Sequence, residues 1–143
     1  MMYLVPAAIA WAIAQGLKHV FYMMGRNRRV FKGTSPSWLM PSGGMPSTHS
    51  ATVVAFTAFM GLSEGIDSGL FALSFLLSAI VIYDSMRVRY SSGRQGDLLN
   101  TLLTEVKSRL QPVRVAHGHT VLEVLAGMTI GVIVALVVFF TTK

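Results

Sequence analysis

The sequence predicts an all-α fold: an integral membrane helical bundle with about four transmembrane helices plus an amphipathic interfacial helix, in a single domain over residues 1–143. Three observations lead there. Hydrophobic residues make up 52% of the chain and charged residues only 13%, a balance ill suited to a soluble domain of this size. Several stretches approach the roughly 20 apolar residues that a helical crossing requires. The basic residues gather in two segments between those stretches.

Residues 2–24 form the first expected span, into which Gln15, Lys18 and His19 intrude. No basic region or small-residue cleavage site marks it as a signal peptide, so it is expected to be retained. The second candidate, residues 50–62, is short. It crosses only if its helix begins near Ser47, or if residues 41–49 dip into the membrane, where non-helical backbone is tolerated only inside protein or beside a wet cavity. Residues 69–86 and 120–140 supply the third and fourth spans. Within residues 93–112, Leu98, Leu99, Leu102, Leu103, Val106 and Leu110 recur at helical spacing opposite Asp97, Thr101, Glu105 and Ser108. This pattern fits an amphipathic helix lying on the membrane surface, and equally one packed against the bundle.

Loops rich in Lys and Arg stay cytoplasmic. Arg26, Arg28, Arg29 and Lys32 follow the first span, and Arg87, Arg89, Arg94, Lys107, Arg109 and Arg114 follow the third, together ten of the twelve basic residues. The "SEGIDSG" turn between spans two and three has Glu64 and Asp67 and no base. Both termini are therefore expected outside and the active site on the cytoplasmic face of the cell inner (plasma) membrane. The net charge of +6 does not indicate nucleic acid, because the bases do not alternate with stacking aromatics. With no cysteine, disulfides and thiolate metal sites are excluded.

This threading brings His49, Asp84, Arg87, His117 and His119 to one end of the bundle. In "HGHTVLEVLAGMTIG", His119 and Glu123 lie four apart and share a helix face. A carboxylate there can take the proton of one imidazole nitrogen and leave the other as a nucleophilic lone pair. Thr120 and Glu123 equally fit a capping box with no chemistry attached. In "GGMPSTHSA", Gly43 and Gly44 precede a helix start whose N–H groups can cradle an anion, with Ser47 and Thr48 adding hydroxyls. Either hydroxyl can instead simply cap the helix.

At these residues the chain resembles the divergent type 2 phosphatidic acid phosphatase family, the small branch described as acid phosphatase/vanadium-dependent haloperoxidase-related. "MPSTHSA" is similar to that superfamily's P-S-G-H signature, and "HTVLEVLAGMTIG" to the signature in which His is followed four residues later by an acid. "IVIYDSMRVR" and "GRQGDLLN" extend the resemblance. It implies that His119 attacks phosphorus to give a phosphohistidine, that Glu123 orients it, and that His49 protonates the leaving oxygen. Gly44, Ser47 and Thr48 would hold phosphate oxygens, with no metal and no cofactor. Three positions depart from the superfamily pattern. Val113 stands where an arginine precedes the nucleophile, so Arg114, Arg87 or Arg89 takes the clamp. Lys18 with Arg26 is the nearest substitute for the lysine-arginine signature, although Lys18 can also snorkel to the interface. The acid is Glu and not Asp. Asp84 is expected to be buried and ion-paired with a clamp arginine or lysine, or to form a purely structural pair.

The function expected is a membrane phosphatase acting on a lipid-linked phosphate monoester or diphosphate, sensitive to vanadate. A metal-binding membrane protein using His49, His117, His119, Asp84 and Glu123 is a second class, and a non-catalytic scaffold with a degenerate phosphatase site a third. The bilayer and a lipid phosphate are the expected partners, and nucleic acid is not. Ala126, Gly127, Gly131 and Ala135 permit close helix approach, which leaves a homo-oligomer open.

Overall fold

The structure, a computed structural model, describes residues 2–25, 44–113, 115 and 117–142. Gly43, Arg26, Arg28, Arg29, Lys32 and Arg114, which figure in the sequence expectations, lie outside the described residues.

Every regular element among the described residues is helical. A 3-10 turn at Met2–Leu4 leads into α1, Val5–Met23, where Pro6 sits in the first turn and lacks only an N–H that would have no helical partner there. Ser47 starts α2, Thr48–Glu64, from extended backbone, and its hydroxyl accepts from the Ser50 N–H. Ser68 does the same for Phe71 at the start of α3, Gly69–Tyr83. Serine is suited to both positions because its short side chain reaches the donors a helix start leaves unpaired. A π turn, Asp84–Val88, joins α3 directly to α4, Arg89–Glu105, and α5 covers Val121–Thr142.

The helices alternate in direction, as contacts at both ends of the bundle show. At one end the Tyr3 hydroxyl donates to Glu64, bringing the start of α1 to the end of α2. At the other, the Thr48 hydroxyl donates to Gln15 of α1, and the Ser47 N–H donates to the Glu123 carbonyl of α5. α2 is the central helix, packed against α1, α3 and α5.

Among the described residues, three helices are long and apolar enough to cross a membrane: Met2–Met23, Gly69–Glu105 and Val121–Thr142. The 17 residues of α2 rise about 25 Å, a little under the roughly 30 Å of hydrocarbon. Its helix does begin next to Ser47, one of the two starts the sequence allowed. Contacts with α1, α3 and α5 enclose it on three sides.

Small residues set the core. Ala10 and Ala14 of α1, Ala51, Ala55 and Phe59 of α2, and Val134, Ala135 and Val138 of α5 form one buried cluster. Gly127 and Gly131 let α5 lie almost on the α2 backbone: a Cβ at Gly127 would be 2.3 Å from the Ser47 oxygen, and one at Gly131 2.6 Å from the Ala51 oxygen. The close helix approach expected at Gly127, Gly131 and Ala135 is thus made with α2 of the same chain. Between α2 and α3 the Thr57 hydroxyl donates to the Ser74 carbonyl and the Ser78 hydroxyl to the Val53 carbonyl, bonds that stand in for a hydrophobic drive that lipid does not supply.

The interfacial segment departs from expectation. It is no separate surface helix over residues 93–112: α4 begins at Arg89 as a continuation of α3 and ends at Glu105, leaving Leu110 beyond the helix. The 37-residue run is about 55 Å long, so α4 extends past the membrane-spanning part. Leu98, Leu99 and Leu102 are exposed on it. A pair of crossed bonds, Lys107 N–H to the Thr104 carbonyl and Ser108 N–H to the Leu103 carbonyl, ends the helix with Lys107 at φ 48°. The chain then turns back along α4.

Candidate functional site

His119 precedes α5 and is 7% exposed. Two neighbours hold it. Its backbone N–H donates to the Ser85 carbonyl in the π turn at 2.9 Å, and its Nδ1 lies 3.0 Å from Glu123 Oε2. The same Oε2 accepts from the Thr120 N–H at 3.0 Å, while Thr120 Oγ1 accepts from the Glu123 N–H at 3.4 Å. The capping box and the imidazole-orienting carboxylate, alternatives on sequence grounds, are therefore both present and share one oxygen atom. A carboxylate on Nδ1 holds the proton there and places the lone pair on Nε2.

The π turn supplies the matching geometry. Gly118 lies so close to it that a Cβ would be 2.7 Å from Tyr90 N and 2.9 Å from the Ser85 oxygen. The wider turn also brings residues five apart together, so Arg89 Nε donates to Asp84 Oδ2 at 2.9 Å. Asp84 does take an arginine partner, but it is not buried: its side chain is 40% exposed.

A cavity of about 410 Å³ opens beside His119. Gly44, Arg87, Tyr90, His119, Thr120 and Glu123 line it, with Met86 and Val121 adding apolar wall. His117 is at its edge, with Nε2 3.0 Å from Asp97 Oδ2. His49 is not among the lining residues, yet it lies within electrostatic reach of His119, Arg89, Lys18 and Asp84. Lys18 follows Ala7, Ala10 and Ala14 on the inward stripe of α1, and this register buries it to 3% exposure. It does not snorkel, and it is within electrostatic reach of Glu123.

The hydroxyls of the α2 start point elsewhere. Ser47 is fully buried, and its oxygen accepts from both the N–H and the hydroxyl of Ser50. Thr48 donates to Gln15. These two hydroxyls serve the cap and the α1 contact, while Gly44 is the residue of that stretch that reaches the cavity. The Thr48 and His49 N–H groups are the first-turn donors that Ser47 does not take.

The five candidate metal ligands do not converge. Asp84 is drawn to Arg89, His117 to Asp97 and His119 to Glu123, and among the described residues no three His, Asp or Glu side chains are placed to hold one ion. Sequence reasoning missed Ser85, Tyr90 and Gly118. The only local signal was a glycine between two histidines, a place where backbone can approach closely.

A family model described as the Divergent PAP2 family matches residues 2–134, a span that includes both His49 and His119. The chain belongs to the Divergent PAP2 family. Within the curated proteins it is similar to the "uncharacterized membrane protein YuiD" of Bacillus subtilis (strain 168), 30% identical over 119 residues that cover 73% of this chain and 75% of that protein. No solved structure matches the chain. Membership of the Divergent PAP2 family suggests a phosphatase-related membrane protein, and the relative is likewise described as a membrane protein.

Proposed function

We propose that the protein is a metal-independent membrane phosphatase that hydrolyses a phosphate monoester or diphosphate carried on a lipid, through a phosphohistidine on His119. The observation that carries this reading is the 3.0 Å contact between His119 Nδ1 and Glu123 beside a cavity that Arg87 also lines. Nε2 of His119 attacks phosphorus, and the bond to the leaving oxygen breaks as His49 donates a proton to it. Water then attacks the phosphohistidine, giving a proton to His49 and releasing inorganic phosphate. Charge spread over the equatorial oxygens needs fixed donors. Arg87 and the backbone N–H groups at the start of α2 are suited to that task, with Lys18 supporting Glu123 from within the bundle.

The concentration of bases beside this end of the helices favours the cytoplasmic face, with α2 as a protein-enclosed crossing and both termini outside. Val121, which lines the cavity, is exposed, as are Val88 and Leu122, each adjacent in sequence to a lining residue. A lipid tail can therefore remain in the bilayer while its phosphate enters.

The test is phosphate release from a panel of lipid phosphates by the purified chain in nanodiscs, compared with His119→Gln. Turnover by the wild type that H119Q abolishes is expected, with an acid-labile phosphoenzyme trapped on the wild type alone. Turnover retained by H119Q, or a wild type inert across the panel, overturns the reading.

A further inference from the structure

We propose that Asn100 and Gly96 of α4 are positioning residues for His119, acting through Val113, Val115, His117 and Gly118, which lie along the helix as a strap. For its kinetic readout this rests on the phosphatase reading above. At the far end Asn100 grips a single residue twice: Val113 N–H donates to Asn100 Oδ1 at 2.8 Å, and Asn100 Nδ2 donates to the Val113 carbonyl at 3.0 Å. The primary amide supplies both the donor and the acceptor that this grip needs. Next, Val115 lies against Gly96, where a Cβ would come within 2.9 Å of Val115 Cγ2. His117 then meets Asp97, Gly118 abuts Tyr90, and the His119 N–H reaches Ser85. From Val113 to His119 the contacts move from Asn100, through Gly96 and Asp97, to Tyr90 and the Ser85 carbonyl in the π turn.

The Asn100 grip on Val113 and the Ser85 carbonyl on the His119 N–H tie both ends of the strap to one continuous helix, so a shift at Asn100 or Gly96 is passed toward His119. The Asp97–His117 pair is half exposed and adds little holding strength. The amide grip and the close approach at Gly96 therefore set the register.

The experiment uses the full chain in nanodiscs with 15N-labelled histidine, and compares wild type with Asn100→Ala, Asn100→Asp, Gly96→Ala and the double variant Gly96→Ala/Val115→Ala. N100A and G96A are expected to shift the ring resonances of His119 and leave those of His19 in α1 unchanged. They lower kcat about tenfold or more while KM stays within about twofold, since misplacement by an ångström is costly to a near-attack geometry. N100D, which keeps the acceptor for Val113 N–H but loses the donor, falls between. Shortening Val115 relieves the contact made by the new methyl, so the double variant recovers both resonances and kcat relative to G96A. His119 resonances identical to wild type in both N100A and G96A overturn the proposal, as does wild-type kcat in both. A wild-type chain without phosphatase activity would sink the functional reading alone, and the resonances would then decide the role of the strap by themselves.

Discussion

One oxygen of Glu123 serves both His119 Nδ1 and the Thr120 N–H, each at 3.0 Å. Fold and chemistry thus depend on the same atom, and two substitutions separate them. In Glu123→Gln an amide oxygen can still cap the helix, but the side chain no longer carries the charge that holds the proton on Nδ1. With its oxygen kept toward the Thr120 N–H and Nδ1, the amide cannot stabilise the positive charge that the imidazole gains when Nε2 bonds phosphorus. E123Q is expected to lose at least about a hundredfold in kcat with a melting temperature near wild type. Glu123→Ala loses the same activity and also about 1 kcal/mol from the cap. Phosphate release and thermal melting, measured on the same preparations, check both.

Gly127 and Gly131 define the crossing of α5 over α2. Their added methyls would strike carbonyl oxygens at 2.3 and 2.6 Å, and backbone cannot rotate aside as a side chain can. Gly127→Ala and Gly131→Ala are each expected to destabilise the bundle by about 3 kcal/mol or more. At Gly16 in α1 an added Cβ would meet nothing within 4 Å, and Gly16→Ala should be neutral or stabilising by up to about 1 kcal/mol. Unfolding in detergent that costs all three variants alike would contradict this account of the packing.

The candidate residues were legible because ionisable groups are scarce in and beside apolar spans: His49, Asp84 and His119 stood out individually, and threading drew them, with Arg87 and His117, to one end, whereas the burial of Lys18 needed the register of α1. The His119–Glu123 spacing was readable because a helix fixes which residues share a face. Continuity of α3 with α4 was not readable, since falling hydropathy after residue 86 marks where a membrane ends and not where a helix does. An arginine or lysine partner for Asp84 was readable, but not that it would be Arg89, because five residues span well over one α-helical turn and a π turn brings them together. Ser47 and Thr48 looked equally fit to bind phosphate or to cap, and neighbours 3 and 33 positions away decided that. The Asn100–Val113 grip joins residues across a reversal of the chain, which no local pattern announces.

Lys107 closes α4 at φ 48°, where a side chain crowds its own backbone and glycine does not. The crossed bonds from Lys107 and Ser108 to Thr104 and Leu103 use no part of the lysine side chain. Lys107→Gly is therefore expected to preserve the turn and stabilise the protein by about 0.5–1 kcal/mol, read as a higher melting temperature with kcat unchanged. A fall in stability would mean that the lysine side chain contributes a contact outweighing its backbone cost.

Vanadate and chelators address the reaction itself. Vanadate adopts the trigonal bipyramid of a phosphoryl group in flight, and a site built to favour that shape binds it more tightly than phosphate. The reading with His119 as nucleophile therefore expects vanadate to inhibit more strongly than inorganic phosphate, and to lose that advantage in His119→Gln, where no imidazole can reach the apical position. Chelation is expected to leave turnover intact, because the acidic and imidazole groups are engaged in separate pairs: Asp84 with Arg89, His117 with Asp97 and His119 with Glu123. Activity that a chelator removes and a divalent ion restores would point to a ligand set drawn from other residues, and would replace the phosphohistidine route with a metal-bound nucleophile.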